Sequence, residues 1–471
     1  MFSRNLGCGF VLVLSFGCQH SAADSEHDTD ALGESKGSDE IDAGGGADAG
    51  HPGKPGKTFY GDVLPLLETH CIGCHQDTGI APFALDSLAS AKAHAAEIAA
   101  ATKTRSMPPW AAVSDDSCGT FKDSLALDDE AIATFEAWAK GDLALGDARA
   151  IEPIKVNTLK DATTVQTPLF SPTPEGTDYA ENDEYRCFMI DAPNAEPRFI
   201  SGYSVTPGTA EIVHHVVAFI VDPAADSDID GKTNGALMAE LDAASPDRDG
   251  WSCFGAAGDG VAIVGSPVVW APGQGVVEFP AGSGTPLTPT QKLVVQVHYN
   301  LEDPRSAGKS DQTSIQFQLT DKVDRVGMFL VPDQFLASYF AGKPEKLEPG
   351  KESVKFRWTQ SMSDLGVDQI PDLQLAGIMP HMHELGHRYQ MSVSRGDDAQ
   401  CGVSVLDWDF HWQRMYFYEE PIALTPDTNL EVTCDYDTLS RTEPVLPGWG
   451  TQNEMCTAIL YVTAPLSAFG G

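Results

Sequence analysis

Basic residues are scarce in this 471-residue chain: 30 Lys and Arg face 68 Asp and Glu, a formal charge of −38 at pH 7. A surface this acidic has nothing with which to meet a phosphate backbone, which excludes nucleic acid as a partner. Most of the charge reads as solvated surface and not as an acidic binding patch. Long apolar runs are missing as well. The run from Gly9 to Gly17 is far shorter than the roughly 20 residues a membrane-spanning helix needs, and nothing later in the chain looks membrane-spanning. Residues 19 to 57 have almost no large apolar side chains and are rich in Gly, Ser, Asp and Glu. They cannot bury enough to fold and predict a flexible tether. From residue 150 onward helical periodicity disappears too, so the bulk of the chain is not helical. What remains is an ordinary 42% apolar content, enough for about two to four domains.

The N-terminal stretch MFSRNLGCGFVLVLSFGCQH carries one Arg, a short apolar core and then Gly17-Cys18. That order predicts a signal peptide over residues 1–18. Gly17-Cys18 resembles a bacterial lipoprotein cleavage site, with Ser15 and Phe16 departing from the usual aliphatic and small residues. Lipid on Cys18 would anchor the chain through acyl burial, about 0.8 kcal/mol per methylene; plain secretion is the alternative. Either way the body is exported, to the periplasm or outer cell surface of a Gram-negative bacterium. In an oxidising compartment, disulfides are the default for most of the cysteines beyond Cys18.

Cys71-Ile-Gly-Cys74-His75 has the attachment spacing of a c-type haem. Two thiols bond the porphyrin edge, and the next imidazole then reaches the iron. Helices are predicted over about 59–70, 88–103 and 128–140, the last with Asp128 to Glu130 at its positive end. This small all-α unit, residues 58–146, resembles the class I cytochrome c family. The resemblance implies a distal Met from a loop ahead of the last helix, a place that Met107 in RSMPPW fits, stiffened by Pro108 and Pro109. His70 and His94 compete for that role. A haem with both axial positions filled favours electron transfer over oxygen chemistry. A CxxC disulfide or half a zinc site is the plainer reading of the two cysteines.

Beyond residue 150, short apolar runs are punctuated by Pro, Gly, Thr and Asp. SIQFQL (314–319), EIVHHVVAFIV (211–221), QKLVVQVHYN (291–300) and NLEVTCDY (429–436) are β-type runs. They predict two all-β sandwich domains, at 150–322 and 323–466. Histidines fall inside these runs. Adjacent strand residues point to opposite faces, so His214 and His215 can hold one ion only if the strand twists, bulges or binds it edge-on. His381 and His383, two apart, share a face and form a ready claw; Met382 between them points into the core. His387 lies further along that same face.

VHHVVAF, VQVHYN, HMHELG and NEMC, in that order, resemble the copper type II, ascorbate-dependent monooxygenases. The resemblance implies two jelly-roll-like sandwiches, each holding one copper across an open cleft. By it, His214, His215 and His298 match the electron-transferring copper. His381, His383 and Met455 match the oxygen-binding, catalytic copper. Imidazole suits copper in both oxidation states, and a thioether favours Cu(I). The family pattern also implies a Cys434–Cys456 disulfide. YRCFMIDAP and WSCFG suggest Cys187 with Cys253; Cys118 and Cys401 stay open, either bonding the helical unit to the body or remaining separate.

The implied reaction is hydroxylation of an activated C–H bond with O2, the metal activating oxygen at a position the protein keeps open. Electrons would come from ascorbate or a redox protein, here through the fused haem. The substrate is not the family's peptide. Met379, Thr457 and Ile459 stand where peptidylglycine enzymes carry Arg, Asn and Tyr, so a small and fairly apolar molecule is expected. The rival readings are an exported copper and haem electron carrier, a cytochrome fused to β-sandwich binding modules, and a surface adhesion protein.

Overall fold

The computed structural model describes residues 56–76, 81–108, 112–114, 117–122, 124–151, 158–177, 181–272, 274–410 and 413–469. The signal segment, Cys18 and nearly all of the tether lie outside the described residues, as does Pro109. The chain is mostly β-sheet sandwich with a small helical region at its N-terminal side.

The helical region begins with a π turn, Phe59–Val63, running into the helix Leu64–His70, where Pro65 sits at the start and its missing N–H costs nothing. The stretch expected as one helix over 88–103 is two, Leu88–Ala93 and Ala95–Lys103, broken at His94. There the ring stacks on Phe83 and Nδ1 pairs with a Glu97 oxygen at 2.8 Å. The helix Asp129–Lys140 is capped by the Asp128 carboxylate, which accepts the Ala131 N–H. Phe59, Leu67, Ile98, Phe135 and Trp138 close its core.

The β body has three sheets. A five-stranded sheet is built around Asp183–Asp191, Lys292–Asn300, Val213–Val221 and Gly265–Trp270, and a four-stranded one runs Val354–Ser361, Thr428–Tyr436, Gly386–Arg395, Asp398–Val405. The third has nine strands and belongs to both halves of the body. Its strands Arg198–Thr206 and Ser283–Leu287 come from the first half; Arg325–Leu330, Thr457–Pro465 and Leu373–His381 come from the second. The seam is a parallel pairing of Ser283–Leu287 with Arg325–Leu330. Apolar residues of both halves therefore share one core. Phe329, Met379, Ile459 and Tyr461 pack with Ile200, Tyr203 and Phe279, a dry contact of the kind that resists relative domain motion.

The helical region is joined to the second half covalently and by strand addition. Cys118 is bonded to Cys401, which settles the pairing the sequence left open. Val113 donates its N–H to Ser404 O, Lys122 to Phe417 O, and Glu419 returns one to Thr120 O. Cys74 itself packs against the second half's core. Cys187–Cys253 and Cys434–Cys456 are also bonded. Three disulfides fit an oxidising, extracytoplasmic compartment. Among the described residues no helix is long and apolar enough to cross a membrane.

Candidate metal centre

His214 and His215 sit in Val213–Val221, whose pairing slips by one residue: Val213 faces Tyr299, yet His215 faces His298. Two residues oppose one, a β-bulge. The bulge turns both rings to one side, meeting the condition that strand alternation imposed. The Nδ1 atoms of His214 and His215 lie 3.0 Å apart, those of His214 and His298 3.2 Å, and those of His298 and His215 3.3 Å. Three imidazoles with metal–nitrogen distances of about 2.0–2.1 Å around one trigonal centre would have nitrogens about 3.5 Å apart. Three converging nitrogens cannot all be satisfied by hydrogens shared among themselves; a cation accepts all three lone pairs.

The tautomer of His298 follows from its other nitrogen. Nε2 donates to the Asp183 carboxylate at 2.8 Å, leaving Nδ1 with its lone pair facing the cluster. Asp183 is buried, which pushes its carboxyl up. The hydrogen bond and charge of His298, with donors from Thr451, outweigh that and hold it below its ordinary value. His215 falls well below the usual histidine value, first through burial and then through His298 and His214.

In the second half, the strand Leu373–His381 stops at His381 and the chain turns over 384–385 into Gly386–Arg395. The single strand carrying His381, His383 and His387 on one face is thus not what forms: His387 belongs to the returning strand, beyond a turn. Met382 is fully buried in the core, as its position implied. His381 faces Thr457 across the antiparallel pair, at the end of that ladder. Nδ1 of His381 donates to Gln413 Oε1 at 2.6 Å, and Nδ1 of His383 to Asn453 O at 3.0 Å. Both rings therefore keep the Nε2 lone pair for something else. The Nε2 of His383 is buried with no hydrogen-bond partner, an orphan of the sort that marks an absent ion. Burial lowers His381 to about 4 and, with help from His381, lowers His383 to about 3. Both are neutral at pH 7, as ligation requires.

Glu454 ties the main chain of Met455 to that of His383. The buried Glu454 carboxylate accepts N–H groups from His383 (2.9 Å), Leu385 (2.7 Å) and Met455 (3.3 Å). Tyr436 Oη donates to Met455 O at 2.7 Å, and the next residue, Cys456, is pinned by its disulfide.

The two histidine sets are not across an open cleft. The rings of His215 and His381 lie 5.8 Å apart, edge to face. Phe410 stacks on His214 at 4.5 Å and stands 5.9 Å from His383. The open separation that the resemblance implied is not what forms. Met379 and Ile459 are a cross-strand pair in the common core, and Thr457 is buried with its hydroxyl donated to Asp333.

Residues 356–466 match the family model described as copper type II ascorbate-dependent monooxygenase, C-terminal domain. That segment of the chain is similar to the copper type II monooxygenases. The chain is 24% identical over 266 residues to tyramine beta-hydroxylase of Caenorhabditis briggsae, covering 55% of this chain and 40% of that protein. To the putative DBH-like monooxygenase protein 2 of Homo sapiens it is 26% identical over 210 residues, covering 42% and 39%. The chain thus spans about two fifths of the length of these relatives. Among solved structures, the major capsid protein P2 of bacteriophage PM2 overlaps at a TM-score of 0.25 and 9% identity, over 64% of this chain and 98% of that one, and carries no argument. The family segment contains His381, His383 and Met455; His214, His215 and His298 lie outside it and stand on the geometry above.

The helical unit lies outside that segment too. Cys71 and Cys74 are unpaired thiols, and burial, then Cys74, pushes the Cys71 thiol up to about 12. Nδ1 of His75 donates to Phe83 O at 2.9 Å, which leaves Nε2 for a ligand; burial lowers its pKa. Its ring lies 4.8 Å from that of Phe83, which in turn stacks on His94. Nδ1 of His70 donates to Leu125 O at 3.2 Å. Met107 is half-buried at the end of its loop, its N–H on Ala101 O. Phe83 thus stands between the rings of His75 and His94.

Sequence reasoning singled out the ligands and overlooked what orients them: Asp183, Gln413, Asn453, Glu454 and Phe410. Of these only Asn453 and Glu454 had a signal, their place before Met455 in NEMC.

Proposed function

We propose that the protein is a copper-dependent monooxygenase that hydroxylates an activated C–H bond of a small molecule with O2. The carrying observation is the pairing of three converging Nδ1 atoms with a second, neutral histidine pair whose His383 Nε2 has no partner. His214, His215 and His298 would hold an electron-transferring copper; His381, His383 and Met455 would hold the copper that meets oxygen. Bound there, copper supplies one-electron redox chemistry and an open coordination position for O2. The chain's own part is to present deprotonated nitrogens, fix each tautomer through Asp183, Gln413 and Asn453, and keep water from the site with Phe410. A groove of about 420 Å³ beside it is lined by Phe410, Trp408, Glu384 and, from the helical unit, Arg105 and Ser106. Substrate reaching the histidines from this side would pass between the two units.

The haem belongs to the same reading: Cys71 and Cys74 would hold it covalently, His75 would ligate it, and Met107 or His94 would take the far side. It would supply a one-electron store on the body that carries the coppers, in place of direct reduction by ascorbate. The proposed organisation is a signal peptide at 1–18 with lipid on Cys18, a tether at 19–57, the haem unit at 58–146 and copper sandwiches at 150–322 and 323–466, exported to the periplasm or outer surface.

Metal analysis with EPR of the mature protein tests this reading, with about two type 2 coppers and one haem per chain expected. Substrate-dependent O2 uptake separates the enzyme from a copper and haem electron carrier. Stopped-flow mixing of reduced haem with the oxidised copper body tests the internal donor; haem that is never reoxidised removes it.

A further inference from the structure

Seven residues, Trp449 to Met455, touch both histidine sets. Trp449 O accepts the Tyr185 hydroxyl at 2.8 Å, and the Tyr185 ring stacks on His298 at 4.0 Å. Thr451 donates its N–H (3.1 Å) and its hydroxyl (2.9 Å) to Asp183, the carboxylate that fixes His298. Asn300 completes the contact by donating to the Thr451 hydroxyl at 3.0 Å. Two residues later the same segment turns to the other set, where Asn453 O takes the His383 ring N–H and Glu454 gathers the main chain around it. Thr451, Asp183, Asn453 and Glu454 are all buried, so each bond is made where water cannot replace it.

We infer that this segment is a clasp setting the spacing of the two histidine sets, with Thr451 and Asp183 as positioning residues. Asp183 orients His298, and Thr451 ties that carboxylate to the stretch carrying Met455. Neither residue is a ligand. Loosening the tie displaces His298 from His214 and His215 while leaving every donor atom in place, and a metal bound at one set favours the geometry of the other.

The inference depends on the copper reading only for its metal arm; the clasp itself is tested without metal. In metal-free full-length protein, amide hydrogen exchange is compared for the native chain, Thr451→Val, Thr451→Ser and Asp183→Asn. Exchange at least about tenfold faster across 449–455 and 296–300 in Thr451→Val and Asp183→Asn, with Thr451→Ser near native, is the expected result. Acceleration spread evenly over both sandwiches, or none, overturns the clasp. In the copper arm, Thr451→Val is expected to weaken Cu(II) at the three-histidine set by about 10- to 100-fold and alter its EPR hyperfine pattern, with Thr451→Ser restoring both. Native affinity and spectrum in Thr451→Val overturn the positioning role. A native chain that takes up no copper overturns the proposed function instead, and exchange alone then decides the clasp.

Discussion

A histidine nitrogen is a useful ligand only if its proton is elsewhere, and most of the polar residues around this site serve that end. Asp183, Gln413 Oε1 and Asn453 O each hold one ring N–H, so the remaining nitrogen carries a lone pair. Burial then keeps the rings neutral, which has a cost in acid. His215, His381 and His383 all have folded pKa values below the unfolded value, about 4 for His381 and about 3 for His383. Between those values and about 6.5 the unfolded chain binds more protons, so stability falls as pH falls. Metal-free protein is expected to lose melting temperature progressively from pH 6.5 toward 4, and His383→Gln to flatten that slope; calorimetry across this range checks it. Met455→Leu keeps an apolar side chain of similar size but removes the sulfur. It should leave the melting temperature nearly unchanged while bound copper under reducing conditions falls from about two equivalents to about one.

Elements do what single residues cannot, because the site depends on where strands misbehave. The bulge at His214 and the turn after His383 place rings that a regular ladder would scatter. Sequence pattern showed the strands well: each of the four β-type runs is a strand within about two residues, and helix covers the three stretches expected of it, the second broken in two at His94. It also stated the need for a bulge without being able to place one, since a bulge is a fact about the partner strand. The turn went unseen because His381-Met382-His383, just before it, alternates as a strand does. Glu454 holds that turn through the N–H groups of His383 and Leu385 and accepts that of Met455 as well. Glu454→Ala strands all three in a buried site and should destabilise the fold by about 3 kcal/mol or more in urea titration, with Glu454→Gln costing less because one acceptor oxygen remains.

For the whole molecule, the decisive feature is the nine-stranded sheet common to both halves, with the helical unit fastened to the second half. Cys118–Cys401 closes a loop of 283 residues, supported by main-chain hydrogen bonds and by the packing of Ala112, Phe121 and Cys74 against the second half's core. The double variant Cys118→Ser, Cys401→Ser is expected to let the helical unit swing away, raising the radius of gyration in small-angle scattering while the sandwiches melt near their native temperature. If the haem feeds the coppers, the same variant should slow haem reoxidation; an unchanged scattering profile would show that the strand pairings alone hold the unit.

The sequence by itself determined which residues could bind metal, because ligand chemistry is a property of side chains and their short-range spacing. His381 with His383, Cys71 with Cys74 and His75, and the order of the four family motifs needed no partner to be read. Tertiary structure alone decided that the two histidine sets meet instead of facing each other across a cleft. The contacts responsible, Thr451 to Asp183 across 268 residues and the parallel seam at Ser283 and Arg325, join segments whose proximity is set by packing of a common core and leaves no local pattern.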